Sequence, residues 1–431
     1  MLLSFQKPAV SAIVKHLRQS KSKKWNGIEI HPPIALNASV SSGKSVMIAE
    51  TAKTVIDMGK TKGNRVRALV IQRAGELCEQ NSEAAWSIGL ENSIYSASLD
   101  QKSTHYDVVY GTEGTIVRAL EKEFAATDDG FHPDIILIDE GHQVNYADAD
   151  TMFMRILVHF YTIKPKLRVV TFTGSPFRDT DSIIGDYWDS FAAMNSDDPL
   201  YPSGAVGDGQ ISTEFMLQNG WITPIHFGWP THEGEDSYDF SSLQPKSGSW
   251  EFDERELDEA TADEAKLLRI MAEVVDRSRE RLGVLIFAAT KRHTVRVADA
   301  LRKLEVSDSD IGIITDDTPD AERADILGRA KIGNCKFVIN VGVLTTGINV
   351  PRWDTLVFLR PIGSLVLLIQ AIGRVLRLMI DEGSPGMVER DSLTVEERMA
   401  LIAASEKPFS LLLDYADVMN RLGHLYENPI L

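Results

Sequence analysis

The chain is poor in cysteine: 431 residues contain only Cys78 and Cys335. Two thiols so far apart cannot form a Cys-x-x-Cys knuckle, so no structural zinc is expected, and a reducing, cytoplasmic setting is the expected compartment. No run approaches eighteen apolar residues, so no segment is expected to span a membrane. The first residues lack a basic start followed by an apolar stretch and a small-residue cleavage site, so no secretory signal is expected. No repeat of 20–50 residues and no low-complexity tract is present, which excludes solenoids and arrays. What remains is 43% apolar and 25% charged, the composition of a soluble globular protein. The length exceeds one ordinary core and suffices for two.

Cations are also in deficit, with a net charge of −17. The deficit is local. Residues 226–264 hold twelve acids against Lys246 and Arg255, a net of −10, and residues 378–409 hold seven acids against Arg390, Arg398 and Lys407, a net of −4. The remainder carries only −3, and steering depends on the local field, so a basic groove for nucleic acid is compatible with the acidic total. The acidic stretches could instead meet a protein partner.

Short β-branched runs alternate with helical periodicity. Strands are expected at 34–38, 68–72, 108–110, 135–138 and 169–173, with a helix over 44–58 whose Ile48, Ala52, Val55 and Ile56 share one face. After about residue 225 the alternation breaks, then resumes with strands at 284–288, 311–315, 337–341, 356–359 and 411–414. Helices are expected at 264–279, 291–304, 320–331 and 364–377. Continuous apolar strands separated by helices predict an α/β fold with parallel sheets covered by helices on both faces. The expected organisation is a first domain over 1–225, an acidic linker or excursion over 226–263 and a second domain over 264–431. Residues 378–409 look like an insertion, with Thr394 and Glu397 spaced as a capping box.

The chemistry concentrates in two places. Residues 38–45 read Ala-Ser-Val-Ser-Ser-Gly-Lys-Ser between a strand and a helix. Such a loop aims backbone N–H groups and a helix N-terminus at phosphate. Ser41, Ser42 and Gly43 would line it, Lys44 would reach the β- and γ-phosphates, and Ser45 would ligate Mg²⁺. About a hundred residues later an apolar strand delivers Asp139 and Glu140 to its C-terminal end, the edge where parallel sheets bind ligands. Asp139 would hold Mg²⁺ and Glu140 would polarise the attacking water. His142 could couple this site to neighbouring loops. Together the two motifs predict binding and hydrolysis of a nucleoside triphosphate. Further on, Gln370, Arg374 and Arg377 are spaced i, i+4, i+7 on one expected helix face, opposite Leu365, Leu368, Ile372, Val375 and Leu376. Guanidiniums on such a face could stabilise γ-phosphate charge.

These motifs resemble a superfamily 2 helicase core. The resemblance runs nearly end to end and is nearest to the RadD-type bacterial DNA-repair helicases, within the type III restriction-like group. Phe5-Gln6 matches the adenine-reading glutamine, Ser41 to Ser45 motif I, and Asp139-Glu-Gly-His142 motif II. Arg73 to Gln80 is similar to motif Ia, Gly111-Thr112 to motif Ib, and Thr173-Gly-Ser-Pro-Phe-Arg178 to motif III. In the second half, Ile286 to Thr290 resembles motif IV, Thr345 to Asn349 motif V, and Gln370 to Arg377 motif VI. The match at Phe287 to Thr290, Leu344 to Gly347 and Leu413 to Ala416 points to the RadD-type branch.

The resemblance implies two tandem RecA-like domains that clamp ATP and Mg²⁺. It places Gly347 and Gln370 at the nucleotide, with Arg374 and Arg377 as catalytic cations. Arg73, Thr112, Thr290 and Thr345 would touch the sugar–phosphate backbone of DNA or, as a second possibility, RNA. His142, Thr173 and Ser175 would couple hydrolysis to strand movement. The chain departs from the pattern at Ala38 and Gly141, at Gly174-Ser175 in place of Ala-Thr, and at Asn349. The Cys-rich zinc region of longer RadD-type proteins is not expected within these 431 residues. The expected activity is that of an ATP-dependent DNA helicase or translocase. The alternatives are an ATPase that remodels or anneals strands without processive unwinding, and a degenerate core that binds a protein partner.

Overall fold

The computed structural model describes residues 1–19, 21–25, 27–31, 33–146, 148–178, 181–182, 211–232, 235–244, 252–342 and 348–427. The chain divides into two compact units, 1–215 and 216–430. Each is built on a mostly parallel sheet flanked by helices.

The sheet of the first unit has seven strands, in the order Ile34–Asn37, Arg168–Thr173, Ile135–Asp139, Ala68–Gln72, Val108–Thr112, Ser93–Ser96 and Gln101–Lys102. All neighbours are parallel except the last pair. Central strands are buried along their whole length, as in Ile135–Asp139 and Ala68–Gln72. This explains their unbroken Ile, Leu and Val content, since strands covered on both faces have no solvent side to keep polar. Short parallel strands in register bring their C-terminal ends to one edge. Asn37, Gln72, Thr112, Asp139 and Thr173 all close their strands there.

The second sheet has six parallel strands, in the order Ile225–Gly228, Ser410–Asp414, Thr355–Phe358, Val284–Phe287, Phe337–Asn340 and Ile311–Ile314. Its edge strand Ile225–Gly228 begins the stretch expected to be a linker or surface excursion. The described residues of that stretch are attached to the second unit. Asp236 pairs with Arg269 at 2.7 Å, the Tyr238 amide donates to the Tyr415 carbonyl at 2.8 Å, and Asp253 caps the helix Glu254–Ala260. Acidic composition suggested a solvated tether, but several of those acids hold arginines and helix ends.

The segment 378–409 is similarly anchored. The capping box is formed, with Glu397 N to Thr394 Oγ1 at 3.2 Å and Thr394 N to Glu397 Oε2 at 2.8 Å. Arg398 stacks its guanidinium 4.3 Å from the centre of the Trp221 ring and donates to the Asn219 and Leu393 carbonyls. Lys407 is buried and donates to the carbonyls of Pro351, Trp353 and Arg377 at 2.9, 2.7 and 2.7 Å. Burial pushes its ammonium down to about 7, while the nearby Asp354 opposes that shift. Among the described residues, no helix is long and apolar enough to cross a membrane.

Candidate functional site

The loop expected to take phosphate leaves strand Ile34–Asn37 and enters the 17-residue helix Lys44–Lys60. Two residues have left-handed backbone, Ser41 at φ 68° and Gly43 at φ 79°. Alternation of this kind turns successive N–H groups inward. The positive φ favours glycine at position 43, and a Cβ there, 2.5 Å from Gln6 Nε2, would also push the Gln6 amide from the Ser42 carbonyl. The helix has neither a side-chain N-cap bond nor an acid in its first turn, so its positive end is left for an external anion. The Ser41 and Ser42 hydroxyls are buried without a hydrogen-bond partner among the described residues. Such groups are costly unless a ligand satisfies them. Lys44 Nζ donates to the Ala38 carbonyl at 3.3 Å, and Ser45 follows in the first helical turn.

Gln6 braces this loop. Its Oε1 accepts from Leu3 N at 2.9 Å and its Nε2 donates to the Ser42 carbonyl at 2.7 Å. Each end of the amide keeps one further hydrogen-bonding valence. Phe5, next to it, packs its ring 5.9 Å from that of Phe215.

Asp139 ends its strand 7% exposed. Burial and the neighbouring Glu140 push its carboxyl up to about 6, against the pull of Lys44 and Asn81. The opposing influence of Lys44 places the ammonium within electrostatic reach of Asp139. Asn81 donates to Asp139 Oδ2 at 3.3 Å. It lies one residue beyond the segment likened to motif Ia and was not anticipated. Its only sequence signal was a polar residue on the buried face of the helix Gly75–Ser87.

Glu140 is left-handed at φ 56°, a costly conformation for a non-glycine residue. One of its carboxylate oxygens lies 3.4 Å from His142 Nδ1. The same nitrogen is 3.0 Å from Thr173 Oγ1 and 3.3 Å from Ser175 Oγ, and Ser175 N donates to Thr173 Oγ1 at 3.1 Å. The structure thus brings His142, Thr173 and Ser175 together beside the acid pair. It also accounts for two unusual glycines. A Cβ at Gly141 would lie 2.4 Å from Thr171 Cβ, and one at Gly174 would lie 3.0 Å from Lys44 Nζ and from Val40 N.

Thr112 sits at the end of its strand with its hydroxyl on Thr115 at 2.7 Å, and Arg73 is exposed one residue beyond strand Ala68–Gln72. Both lie at the edge of the sheet that carries the phosphate loop. Thr290 departs from its expected role. It is 1% exposed, its hydroxyl is hydrogen-bonded to Asp258, and it caps the helix Lys291–Lys303 by accepting from His293 N at 3.0 Å. A side chain committed to a helix cap is not free to hold a phosphate. Thr345 and Gly347 lie outside the described residues.

The helix carrying Gln370 and Arg374 spans Leu365–Val375 and is capped by Ser364. Arg377 therefore lies past its end, and the i, i+4, i+7 face is broken after Arg374. Neither Gln370 nor Arg374 is outward-facing: they are 6% and 7% exposed, and Arg374 Nη1 donates to the Ile348 carbonyl at 2.7 Å. Burial pushes the Arg377 guanidinium down to about 10, and its carbonyl is one of the three held by Lys407.

Two family models match the chain, Type III restriction enzyme, res subunit, over residues 1–178, and Helicase conserved C-terminal domain over residues 265–379. The "Putative ATP-dependent helicase IRC3" of Saccharomyces cerevisiae is 24% identical over 387 residues, covering 88% of this chain and 50% of that protein. The chain thus spans half the length of this relative. Among solved structures, the "fragment structure of a putative HsdR subunit of a type I restriction enzyme" from Vibrio vulnificus YJ016 aligns with a TM-score of 0.64 at 15% identity, covering 97% of this chain and 64% of that one. Mycobacterium smegmatis helicase Lhr bound to ssDNA and AMP-PNP aligns with a TM-score of 0.56 at 12% identity, over 98% and 46%. These likenesses establish a fold of tandem RecA-like units.

Proposed function

Since this chain belongs to the superfamily 2 helicases, in the group related to type III restriction enzyme subunits, we propose that it is an ATP-dependent motor that translocates on or unwinds DNA. The observation that carries the reading is the buried, unpartnered pair of hydroxyls on Ser41 and Ser42 at an uncapped helix end, with the Lys44 charge acting on Asp139.

That site fits a nucleoside triphosphate with Mg²⁺. The loop would supply N–H groups and hydroxyls for phosphate oxygens, and Asp139 and the Ser45 hydroxyl would supply oxygen donors of the kind such a cation prefers. When bound, the cation would neutralise charge on the β- and γ-phosphates. Lys44 would exchange its Ala38 carbonyl for a phosphate oxygen. Glu140 would hold and polarise the attacking water. Gln6 would use its two spare valences on the adenine edge. Movement of Glu140 would be felt by His142 and passed to Thr173 and Ser175, which lie on the strand Arg168–Thr173 and just beyond it.

Arg73 and Thr112 would meet the sugar–phosphate backbone, which carries no base information. We keep Thr345 in that group and leave out Thr290. Gly347, Gln370, Arg374 and Arg377 are kept as residues that would act on the nucleotide, with Arg374 as the principal cation. Two buried cysteines without a disulfide suit a reducing compartment such as the cytoplasm.

The test is ATP turnover with and without single-stranded DNA, followed by strand displacement on 3′-tailed, 5′-tailed and forked substrates in DNA and RNA. Stimulated turnover with displacement of DNA supports the motor. Stimulated turnover without displacement would mean strand remodelling instead. Absence of turnover would mean a core that only binds a partner.

A further inference from the structure

The first 28 residues hold six cations, Lys7, Lys15, Arg18, Lys21, Lys23 and Lys24, and no acid. The rest of the chain therefore carries −23 against the total of −17. Lys7, Lys15 and Arg18 fall within about an 80° arc of the helix Gln6–Gln19 at 100° per residue, and all three are exposed. Lys21 and Lys24 are exposed in the segment that follows, at the hairpin of Lys23–Trp25 with Ile28–Ile30.

This helix runs beside Lys44–Lys60. Its Gln6 end is bonded to the phosphate loop, while Arg18 Nη2 reaches Met58 Sδ at 3.0 Å near the far end of the other helix. Exposed Lys60 and Lys62 therefore join the same surface. Within residues 15–30 and 57–62, six exposed cations, Lys15, Arg18, Lys21, Lys24, Lys60 and Lys62, stand against two acids. Asp57 lies 3.8 Å from Lys60. Glu29 stands opposite Lys24 and takes the Ser22 hydroxyl. Among the described residues, Lys15, Arg18, Lys21 and Lys24 form no ion pair. Arg18 is about 18 Å along the helix from Gln6 at 1.5 Å per residue, so this surface is not part of the phosphate loop. It lies toward the opposite edge of the sheet from Arg73 and Thr112.

We propose that this face is a second nucleic-acid surface that seats the phosphate backbone of a duplex arm. The inference rests on the motor reading above. A rigid helix holding cations at fixed spacing suits a preordered ladder of phosphates. Clustered like charges outnumbering their acids repel one another, and a polyanion relieves that repulsion while releasing its counterions.

The experiment uses the full chain with Lys15→Gln, Arg18→Gln, Lys21→Gln and Lys24→Gln combined, none of them in the ATP site. Binding to a blunt duplex and to a single-stranded oligonucleotide is measured from 50 to 200 mM salt, together with ATP turnover and the melting midpoint. The expected result is unchanged melting and basal turnover, single-strand affinity within about twofold, and duplex affinity at least tenfold weaker. The duplex salt slope should fall by roughly 3–4, at about 0.9 per lost phosphate contact. Unchanged duplex affinity and slope overturn the proposal. So does an equal loss on both nucleic acids, which would place the single strand there. Binding of anionic vesicles but not duplex by the wild type would assign the face to a lipid surface. If wild-type protein binds neither nucleic acid, the motor reading itself fails. If single strands stimulate turnover but the variant binds duplex normally, only the second surface fails.

Discussion

Gly174→Ala would restore the alanine that the helicase motif usually carries, yet it should damage this protein. An added Cβ would lie 3.0 Å from Lys44 Nζ, 3.0 Å from Val40 N and 3.1 Å from the Ala38 carbonyl. Lys44 can swing aside, but Val40 N and the Ala38 oxygen are backbone of the phosphate loop. Relieving the crowding means opening that loop by a few tenths of an ångström or displacing the ammonium. Overpacking of this size costs about 1–2 kcal/mol. If it falls on the loop that receives phosphate, kcat/KM for ATP should drop roughly 5–30-fold. The assay is steady-state ATP turnover, with the melting midpoint as the folding control. Adding Ala38→Gly gives the loop backbone freedom and should recover part of the loss, because the two departures from the motif pattern are in contact. Turnover within twofold of wild type for Gly174→Ala alone would refute the steric argument.

Lys44→Ala should abolish turnover, and normal hydrolysis by that variant would remove the phosphate loop from the site. Glu140→Gln should bind ATP with Mg²⁺ yet stall, as read by nucleotide binding alongside turnover; wild-type rates would dismiss Glu140 as the residue that polarises water. Arg374→Ala should keep ATP affinity while kcat falls by about 10³ or more, and a rise in KM alone would mean ground-state binding. Lys407→Met would leave three buried carbonyls without their donor, at a cost of roughly 2–4 kcal/mol. A denaturant midpoint equal to wild type would show that desolvating the ammonium had cancelled its hydrogen bonds.

Much of the fold was legible because parallel strands buried on both faces leave unbroken apolar runs. The ten expected strands all correspond to strands of the two sheets. The additional short pieces Ser93–Ser96, Gln101–Lys102 and Ile225–Gly228 carry little such signal. The last was hidden by acidic neighbours, and only its pairing with Ser410–Asp414 makes it a strand. Helix ends were harder to place. Periodicity carried the arginine helix to residue 377, but the chain leaves it after Val375, with Lys407 bound to the Arg377 carbonyl.

By itself the sequence determined the strand–loop–helix around Gly43 and Lys44, the Asp139–Glu140 pair at a strand end and the alternating order of strands and helices. Each of these is encoded within a few covalently linked residues, where spacing alone fixes geometry. Tertiary structure decided which side chains meet across long separations. It set Asn81 on Asp139, joined His142 to Thr173 and Ser175, packed Gly174 against the Ala38 carbonyl, and spent the Thr290 hydroxyl on Asp258 and a helix cap. Those contacts depend on how sheets and helices pack, and no local pattern records that.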